Sequence, residues 1–205
     1  DRRLSALRLA LTVSHGERRT TVKAPLGDAA LPAWRYEPIF AALADGPKSV
    51  AELANLSSAA GAPPANPAEL IGLLVGSGQA MLATEDAVSA GNAGETARRF
   101  NRLCVDDALT EMTRKSVALA APLCGAGLHL SLAEALLYDA AATGAIAAAA
   151  SEATEAAERA TTHALRRLTG LAEPPLDHPN RPALLESMAW SVAESLPLWR
   201  RLGMI

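Results

Sequence analysis

Cysteine, long apolar runs and an excess of positive charge are scarce or missing in this sequence, and each absence excludes a class of protein. The two cysteines, Cys104 and Cys124, are too few for a disulfide framework, so we expect a cytoplasmic protein. No apolar run approaches the roughly 20 residues needed to cross a bilayer, so we expect no membrane span. The net charge of −3 differs from the basic balance that is typical of nucleic-acid-binding proteins.

Aromatic residues are also few. Half of the residues are hydrophobic, yet the chain has three tryptophans, two tyrosines and two phenylalanines, and alanine supplies much of its apolar content. Small apolar side chains favour helices that pack closely, whereas a thick β-sandwich needs more large and β-branched residues. We therefore predict a mainly α fold with short β-strands, in the α+β class, divided into two small domains.

Alternating strand and helix signals over residues 1–93 predict a winged-helix-like domain with amino-terminal strands. Ser49 followed by Glu52 is a capping-box pattern, and Asn66 followed by Pro67 is a strong helix start. Three short helices followed by a β-ribbon are typical of a winged-helix unit. The predicted elements are strands over 7–13, 18–22 and 79–83, helices over 36–44, 50–56 and 66–75, a turn over 25–28 and a loop over 57–65.

Residues 94–205 predict a helical domain with a small β-hairpin near 117–130. The small polar segment 89–94 marks the boundary that precedes this domain. Ser131 followed by Glu134 repeats the capping-box pattern at the end of the hairpin. The predicted helices cover 95–109, 131–139, 140–168 with a break at Gly144, and 184–202 with Pro197 inside it, and a proline-rich loop covers 170–182.

A winged-helix unit raises the alternative of a nucleic-acid-binding module. A recognition helix needs Arg, Lys, Asn or Gln side chains directed at phosphates and base edges. The corresponding helix over 66–75 carries no cation and has Glu69 in its first turn, and the predicted wing ends in the acidic pair Glu85-Asp86. Because acidic side chains repel phosphate, we disfavour nucleic acid as a partner, and a winged-helix nucleic-acid-binding module stays the alternative function.

Two patterns that suggest bound phosphate or a nucleophile have simpler structural interpretations. Gly76-Ser77-Gly78-Gln79 follows a predicted helix and precedes a strand, which is the reverse of the order in a dinucleotide-binding loop. We therefore interpret it as a turn that ends the helix. Cys124 with His129 is conceivable as a nucleophile pair, but neither residue has a flanking signature, and a buried cysteine is the simpler interpretation.

Three acidic residues on one predicted helix form a candidate carboxylate site: Asp106, Asp107 and Glu111. Asp107 and Glu111 lie four residues apart, where like charges repel unless a cation intervenes. The cations near enough in sequence to neutralise them are Arg102, Arg114 and Lys115. We interpret the cluster as a solvated helix face, and we predict no catalytic residue, no cofactor-binding residue and no metal site in this chain.

Arginine pairs and clustered aromatic residues are the side chains best suited to contact another protein. The arginine pairs lie on predicted amphipathic helices, where an ordinary polar face is the simpler interpretation: Arg98-Arg99, Arg166-Arg167 and Arg200-Arg201. Trp34, Tyr36 and Phe40 lie within seven residues of one another; core packing is their simpler role, and a surface anchor for a partner is the alternative. The candidate partner-contact residues are Trp34, Tyr36, Arg98, Arg99, Arg102 and Trp199.

A set of short segments, ordered along nearly the whole chain, carries a family resemblance. These segments are 22–29 (VKAPLGDA), 36–39 (YEPI), 42–53 (ALADGPKSVAEL), 76–80 (GSGQA), 97–102 (ARRFNR), 119–127 (LAAPLCGAG) and 196–203 (LPLWRRLG). Together they resemble the carboxy-terminal region of bacterial S-adenosylmethionine-dependent methyltransferases that carry a methyltransferase regulatory domain. Segment 170–182 departs from that family, which often carries a Lys-Asp-Gly-Lys-type segment after the long helix, and no catalytic residue of the family can be placed on this chain.

The resemblance implies an accessory region rather than a catalytic one. In that family a class I methyltransferase domain precedes the regulatory and carboxy-terminal parts, the tail includes a winged-helix-like domain, and some relatives are protein-lysine methyltransferases that act on bacterial outer-membrane proteins. This chain begins at Asp1 without an initiator methionine and lacks a strand–Gly-x-Gly–helix unit, so we expect a piece of a longer methyltransferase. We expect a non-catalytic regulatory or substrate-presenting region whose partners are the catalytic domain and a protein substrate, with S-adenosylmethionine bound by the catalytic domain.

Overall fold

The computed structural model describes residues 2–24, 27–56, 63–84, 91–111, 115–146 and 152–205. Within these ranges the chain is mainly helical and has three small antiparallel sheets, which confirms the predicted α+β class. The chain divides into two compact units, Asp1–Ser89 with Leu123–Gly125, and Ala90–Pro122 with Ala126–Ile205. No helix in the described ranges is both long and apolar enough to span a membrane.

The first unit combines short strands with short helices. In chain order it contains α1 (Arg2–Ala6), β1 (Arg8–Leu11), β2 (Thr21–Ala24), β3 (Gly27–Ala30), α2 (Ala33–Asp45), β4 (Lys48–Ser49), α3 (Val50–Leu56), α4 (Pro67–Gly76) and β5 (Ala80–Leu82). Strand β1 is the centre of a three-stranded sheet and pairs antiparallel with β4 on one side and β5 on the other. Strands β2 and β3 form a separate hairpin.

The core of the first unit joins β1 to helices α2, α3 and α4. Each helix presents apolar residues three or four positions apart, so they fall on one face of the helix. Ile39 and Leu43 are such a pair on α2, and Leu70 and Leu74 are the equivalent pair on α4. All four are almost fully buried, as is Leu9 on β1. Burial of these side chains is the main source of this unit's stability.

The two predicted helix starts of the first unit are confirmed. The Ser49 hydroxyl and backbone N–H both donate to Glu52 Oε2 at 2.7 Å, and the Glu52 N–H donates back to Ser49 Oγ at 3.2 Å. At the start of α4, Asn66 Oδ1 accepts from the Ala68 N–H at 2.9 Å, with Pro67 in the first turn. Both caps satisfy backbone donors that a helix start would leave unpaired.

The strands of the first unit differ from the prediction in several places: the strand predicted over 18–22 is β2 (Thr21–Ala24), and β3 and β4 are not among the predicted strands. The expected turn over 25–28 lies only partly in the described residues, and Gly27 and Asp28 begin β3 rather than a turn. In the described residues β5 pairs antiparallel with β1. Residues 85–90, which follow β5, lie outside the described residues, so the β-ribbon after the third helix stays a prediction. Much of the predicted loop over 57–65, residues 89–90 of the predicted boundary and the acidic pair Glu85-Asp86 lie outside the described residues.

The second unit is a helical assembly with one hairpin. It contains α5 (Gly91–Glu111), the antiparallel strands β6 (Ser116–Ala121) and β7 (Ala126–Ser131), α6 (Leu132–Ala142), α7 (Ala153–Thr169) and α8 (Arg181–Arg201). The hairpin confirms the prediction near 117–130, and Ser131 with Glu134 forms the predicted capping box of α6. The helix predicted to begin near 184 begins three residues earlier, and Pro197 lies inside it.

Helices α6, α7 and α8 pack against one another and enclose the core of the second unit. Its large buried side chains include Tyr138 on α6, Leu165 on α7 and Met188 on α8. Alanine fills the buried face of α7, at positions 156, 157, 160 and 164. Small side chains allow helix axes to approach closely, so the alanine-rich composition serves the helix packing that we predicted from it.

The predicted break at Gly144 is confirmed. Helix α6 ends at Ala142, and Gly144 follows with a backbone φ of +78°, in the left-handed region that glycine adopts without steric strain. Gly170 ends α7 in the same way, with φ of +71°. Residues 147–151 lie outside the described residues, and the description resumes at residue 152.

Candidate functional site

A cavity of about 420 Å³ lies in the first unit, between α2 and the segment that connects β1 to β2. Its apolar lining comes from Leu31, Ala33, Tyr36, Phe40 and Ala41. Its polar lining comes from His15, Arg18, Arg19, Thr20 and Glu37. This volume lies within the range of small-molecule sites, and such sites combine apolar walls with a few placed polar groups.

Helix α2 forms one wall of this cavity. Glu37 lies four residues after Ala33, and Phe40 and Ala41 lie three and four residues after Glu37, so these residues share one side of α2. Of these four side chains, only Phe40 is buried. The same helix therefore packs Ile39 and Leu43 into the core and presents a mixed polar and apolar face to the cavity.

The opposite wall begins with a short 3-10 turn over His15–Glu17. Ser14 starts this turn, because its backbone N–H and hydroxyl donate to Glu17 Oε2 at 3.1 and 2.9 Å. The Thr20 carbonyl then accepts from the Leu31 N–H at 2.7 Å and ties this wall to the chain that leads into α2. These hydrogen bonds fix the backbone at the two ends of segment 15–20, which pairs with no strand.

Gln79 anchors the cationic part of this wall. Its side chain is buried, Oε1 accepts from the Arg19 N–H at 2.7 Å, and Nε2 donates to the Arg19 carbonyl at 3.3 Å. The Nε2 group also contacts the Ser77 hydroxyl at 3.2 Å. The amide therefore fixes the main chain from which the Arg19 guanidinium projects. Sequence reasoning identified the Gly76–Gln79 turn but not this role of Gln79.

Arg18 and Phe40 form the junction between the charged and the apolar linings. Arg18 Cζ lies 5.4 Å from the centroid of the Phe40 ring, a distance typical of a cation–π contact. Arg18 is half-buried and Arg19 is exposed. The lining also includes Glu37, so it contains residues of both charge signs.

Tyr36 lies in the wall of this cavity and not on the outer surface. Its side chain is only 2% exposed, which corrects its assignment as a partner contact, because the ring packs within its own unit. Burial raises the pKa of its phenol, with a further contribution from the negative charge of Glu69, while Arg35 acts in the opposite direction. The hydroxyl is therefore protonated at neutral pH and can act as a hydrogen-bond donor.

Trp199 is also corrected as a partner contact. It is 2% exposed and packs against Tyr138, with ring centroids 6.0 Å apart and an interplanar angle of 57°. The Tyr138 hydroxyl donates to the Met204 carbonyl at 2.8 Å, which holds the carboxy-terminal residues on this core. Aromatic pairs of this geometry stabilise a core. The ring is therefore a packing element of the second unit.

The remaining candidate contact residues are accessible to different degrees. Trp34 is 54% exposed in the first turn of α2, in the first unit. Arg98, Arg99 and Arg102 lie on α5, in the second unit. Arg98 is half-buried, Arg99 pairs with Glu95 at 2.5 Å, and Arg102 donates to the carbonyl of Ala142 at 2.8 Å. The three arginines thus share one helix, and Trp34 belongs to another surface.

Helix α5 carries two exposed apolar side chains beside these arginines. Phe100 is 53% exposed and Leu103 is 71% exposed, one helical turn apart. The helix instead buries Asn101, Val105 and Ala108 against its own unit. We call the surface formed by Arg99, Phe100, Arg102 and Leu103 the outer α5 face. Helical periodicity alone puts Phe100 and Leu103 on one face but does not determine whether that face is buried or exposed.

The candidate nucleophile pair lacks a reactive thiol. Cys124 is buried in the short 3-10 turn over Pro122–Cys124, and burial raises the pKa of its thiol to about 11. At neutral pH only about one thiol in ten thousand is then ionised, and the thiolate is the nucleophilic form. His129 is exposed on β7, opposite Ala118. The arrangement favours a structural role for Cys124.

One of the candidate carboxylates, Asp106, pairs with a cation from a distant part of the chain. Arg167 Nη2 lies 2.6 Å from Asp106 Oδ1, and Arg167 Nε lies 3.1 Å from Asp139 Oδ2. His163 Nε2 approaches the same Asp139 oxygen at 2.8 Å. Arg102 makes a backbone contact instead, and Arg114 lies outside the described residues. Among the residues that the structure describes, no group of three or more His, Cys, Asp or Glu side chains could hold a metal ion.

Comparison of this chain with known proteins gives no relative from which the role of these surfaces could be inferred. No protein-family model, no curated protein and no solved structure matches the chain. Two candidate binding surfaces among the described residues are therefore characterised by their chemistry alone. They are the cavity of the first unit, which combines cationic and apolar groups, and the outer α5 face of the second, which combines arginine with exposed apolar side chains.

Proposed function

We propose that this chain is a non-catalytic regulatory or substrate-presenting region of an S-adenosylmethionine-dependent methyltransferase, and that it acts by binding another polypeptide. The observation that carries the proposal is the outer α5 face. Two large apolar side chains, Phe100 and Leu103, are more than half exposed there, and Arg99 and Arg102 flank them. Apolar anchors with neighbouring arginines are the composition of binding hot spots, since burial against a partner removes their apolar area from water.

The proposed partners are the catalytic domain of the same longer chain and its protein substrate. The family resemblance of the sequence supports this choice, and S-adenosylmethionine is then bound by the catalytic domain. We also propose that the first unit is winged-helix-like, supported by the order of α2, β4, α3, α4 and β5. In this proposal the unit serves protein packing, because α4 has Glu69 in its first turn and carries no cation.

The test is a binding titration between this chain and the methyltransferase domain encoded in the same reading frame. We expect a complex by isothermal titration calorimetry, and the double variant Phe100→Ser/Leu103→Ser is expected to weaken it at least about tenfold. Leu176→Ser is the matched control: Leu176 is 82% exposed in the loop before α8, and its loss is expected to leave the affinity unchanged.

Three results would overturn the proposal. The first is a reading frame without a methyltransferase domain. The second is an affinity that Phe100→Ser/Leu103→Ser lowers no more than Leu176→Ser does. The third is methyl transfer, or tight binding of S-adenosylmethionine, by this chain alone.

A further inference from the structure

We propose that the edge of β7 that faces away from β6 binds the same edge of a second copy of this chain, so that the two hairpins join into one larger antiparallel sheet. This goes beyond the proposed function, because that function uses the outer α5 face and requires no second copy. We call the outward backbone N–H and C=O groups of Gly127 and His129 the outer β7 edge. Its open backbone groups, its register and its side chains each favour this partner.

Asn101 shows which backbone groups of the hairpin point outward. The Ala120 N–H and C=O on β6 bond to the Asn101 side chain and not to β7, at 2.6 and 2.9 Å. Ala120 lies opposite Gly127, and opposed residues in an antiparallel pair alternate between pairs that exchange both hydrogen bonds and pairs that exchange none. Gly127 and, two positions on, His129 therefore direct their N–H and C=O groups away from β6.

The outer β7 edge is open. The Ser131 N–H points the same way and donates to Glu134 Oε2 at 2.8 Å, which agrees with the alternation. Within the part of the chain that the structure describes, no hydrogen bond is seen at the outward groups of Gly127 and His129, and both residues are exposed. Helix α5 packs against the opposite edge of the hairpin. An exposed strand edge with unpaired backbone groups is a template for a further strand.

One antiparallel register satisfies these groups without using any that is already bonded. Gly127 of each copy then lies opposite His129 of the other, and each pair exchanges both of its hydrogen bonds. A register with His129 opposite its own counterpart places Gly127 opposite Ser131. The Ser131 N–H is already bonded within the cap of α6. A shift in the other direction places His129 opposite Gly125, which precedes the strand.

The side chains of the hairpin fit the same register. On the exposed face, the His129 ring of one copy meets Gly127 of the other, so the largest side chain of that face lies opposite a residue that has none. On the packed face, the two-fold axis brings the Leu128 side chains of the two copies together. Leu128 is only half-buried, whereas Leu119 opposite it and Leu130 on the same face are at most 2% exposed. The second copy covers the remaining apolar surface of Leu128.

Sedimentation equilibrium of the unmodified chain, from about 10 μM to about 1 mM, tests the inference over the range of weak association. Because the contact is small, we expect a reversible dimer that forms toward the upper end of this range. His129→Pro removes an outward N–H without removing a bond to β6, and is expected to weaken the dimer at least about tenfold. His129→Thr is the matched control: it changes the same side chain, keeps the backbone N–H, and is expected to alter the dissociation constant less than about threefold.

Amide hydrogen exchange followed by NMR gives a second readout that requires no variant. Raising the concentration from about 50 μM to about 1 mM is expected to slow exchange of the Gly127 and His129 N–H groups at least about threefold, because both are bonded in the dimer. The Leu128 N–H faces β6 and is expected to exchange at the same rate at both concentrations.

Three results would overturn the inference: a chain that stays monomeric over the whole range, equal weakening by His129→Pro and His129→Thr, or exchange at Gly127 and His129 that does not depend on concentration. If His129→Pro fails to fold by circular dichroism, the exchange measurement on the unmodified chain decides. None of these results involves the outer α5 face, so the proposed polypeptide contact stands or fails by its own titration.

Discussion

Buried amide side chains join segments that are far apart in the sequence, one in each unit. Asn101 on α5 is fully buried; its Nδ2 donates to the Ala120 carbonyl at 2.9 Å, and its Oδ1 accepts from the Ala120 N–H at 2.6 Å. Gln79 makes the equivalent two-way contact with Arg19. Each amide satisfies a backbone donor and a backbone acceptor, so its loss leaves buried polar groups unpaired.

Replacing Asn101 with alanine is expected to lower the free energy of unfolding by about 1–3 kcal/mol, because both Ala120 groups lose their partner. Urea denaturation followed by circular dichroism measures the change. Thr110→Ala on the same helix is the control, since its exposed hydroxyl bonds only within α5 and its removal should change stability by less than about 0.5 kcal/mol. Equal stability of the two variants would contradict this role of Asn101.

Helices in this chain begin at residues that can be identified without knowing the fold. The Ser49 and Ser131 capping boxes and the Asn66 cap each involve side chains within three positions of one another. At Ser49 the cap has an electrostatic signature. The Ser49 hydroxyl, followed by its backbone N–H, holds the pKa of Glu52 below its usual range. The stabilisation is therefore present above about pH 4.3 and is lost as the pH falls through the lowered pKa.

Substituting Ser49 with alanine is expected to move the pKa of Glu52 upward, toward its ordinary value, because the hydroxyl donor is gone and only the backbone donor remains. A carbon-detected NMR titration of the Glu52 carboxyl group measures the shift. Ser77→Ala removes another serine hydroxyl of the same unit and should leave the Glu52 titration unchanged. An unchanged Glu52 titration in Ser49→Ala would refute the assignment.

The burial of α5 shows why helical periodicity alone does not identify a binding face. One stripe contains Phe100 and Leu103, and a second stripe contains Asn101, Val105 and Ala108. By apolar content both stripes are acceptable core faces. Strand β6 packs against α5, and Asn101 of the second stripe bonds there to Ala120. The more apolar pair, Phe100 and Leu103, is therefore left exposed.

The charge of the whole chain and the composition of α4 both lead us to expect that the chain does not bind nucleic acid. The net charge is −3, and α4 carries Glu69 in its first turn and no cation. Binding to a duplex depends chiefly on cations that neutralise phosphates and release counterions. The sheet of the first unit is completed by β1 from the chain start, so β5 already has its partner among the described residues.

A mobility-shift titration with a fluorescent duplex is expected to show no salt-dependent complex, even at about 50 mM salt, where phosphate contacts are strongest. Titration of the same sample with the proposed methyltransferase domain is the positive control, because binding there shows that the sample is folded and able to bind. A complex with the duplex that weakens steadily as salt rises would favour the winged-helix nucleic-acid-binding alternative over the function proposed here.

Neighbouring residues were enough to predict the helix caps, the hairpin near 117–130, the break at Gly144 and the mainly α class. Each depends on contacts across a few positions or on composition, and the sequence displays both directly. The cavity, the exposure of the outer α5 face and the pairing of Arg167 with Asp106 came only from the tertiary structure. Their partners are separated by tens of residues and meet only after the chain has folded. Burial, which decides whether Tyr36 and Trp199 pack or bind, is likewise a property of the assembled core.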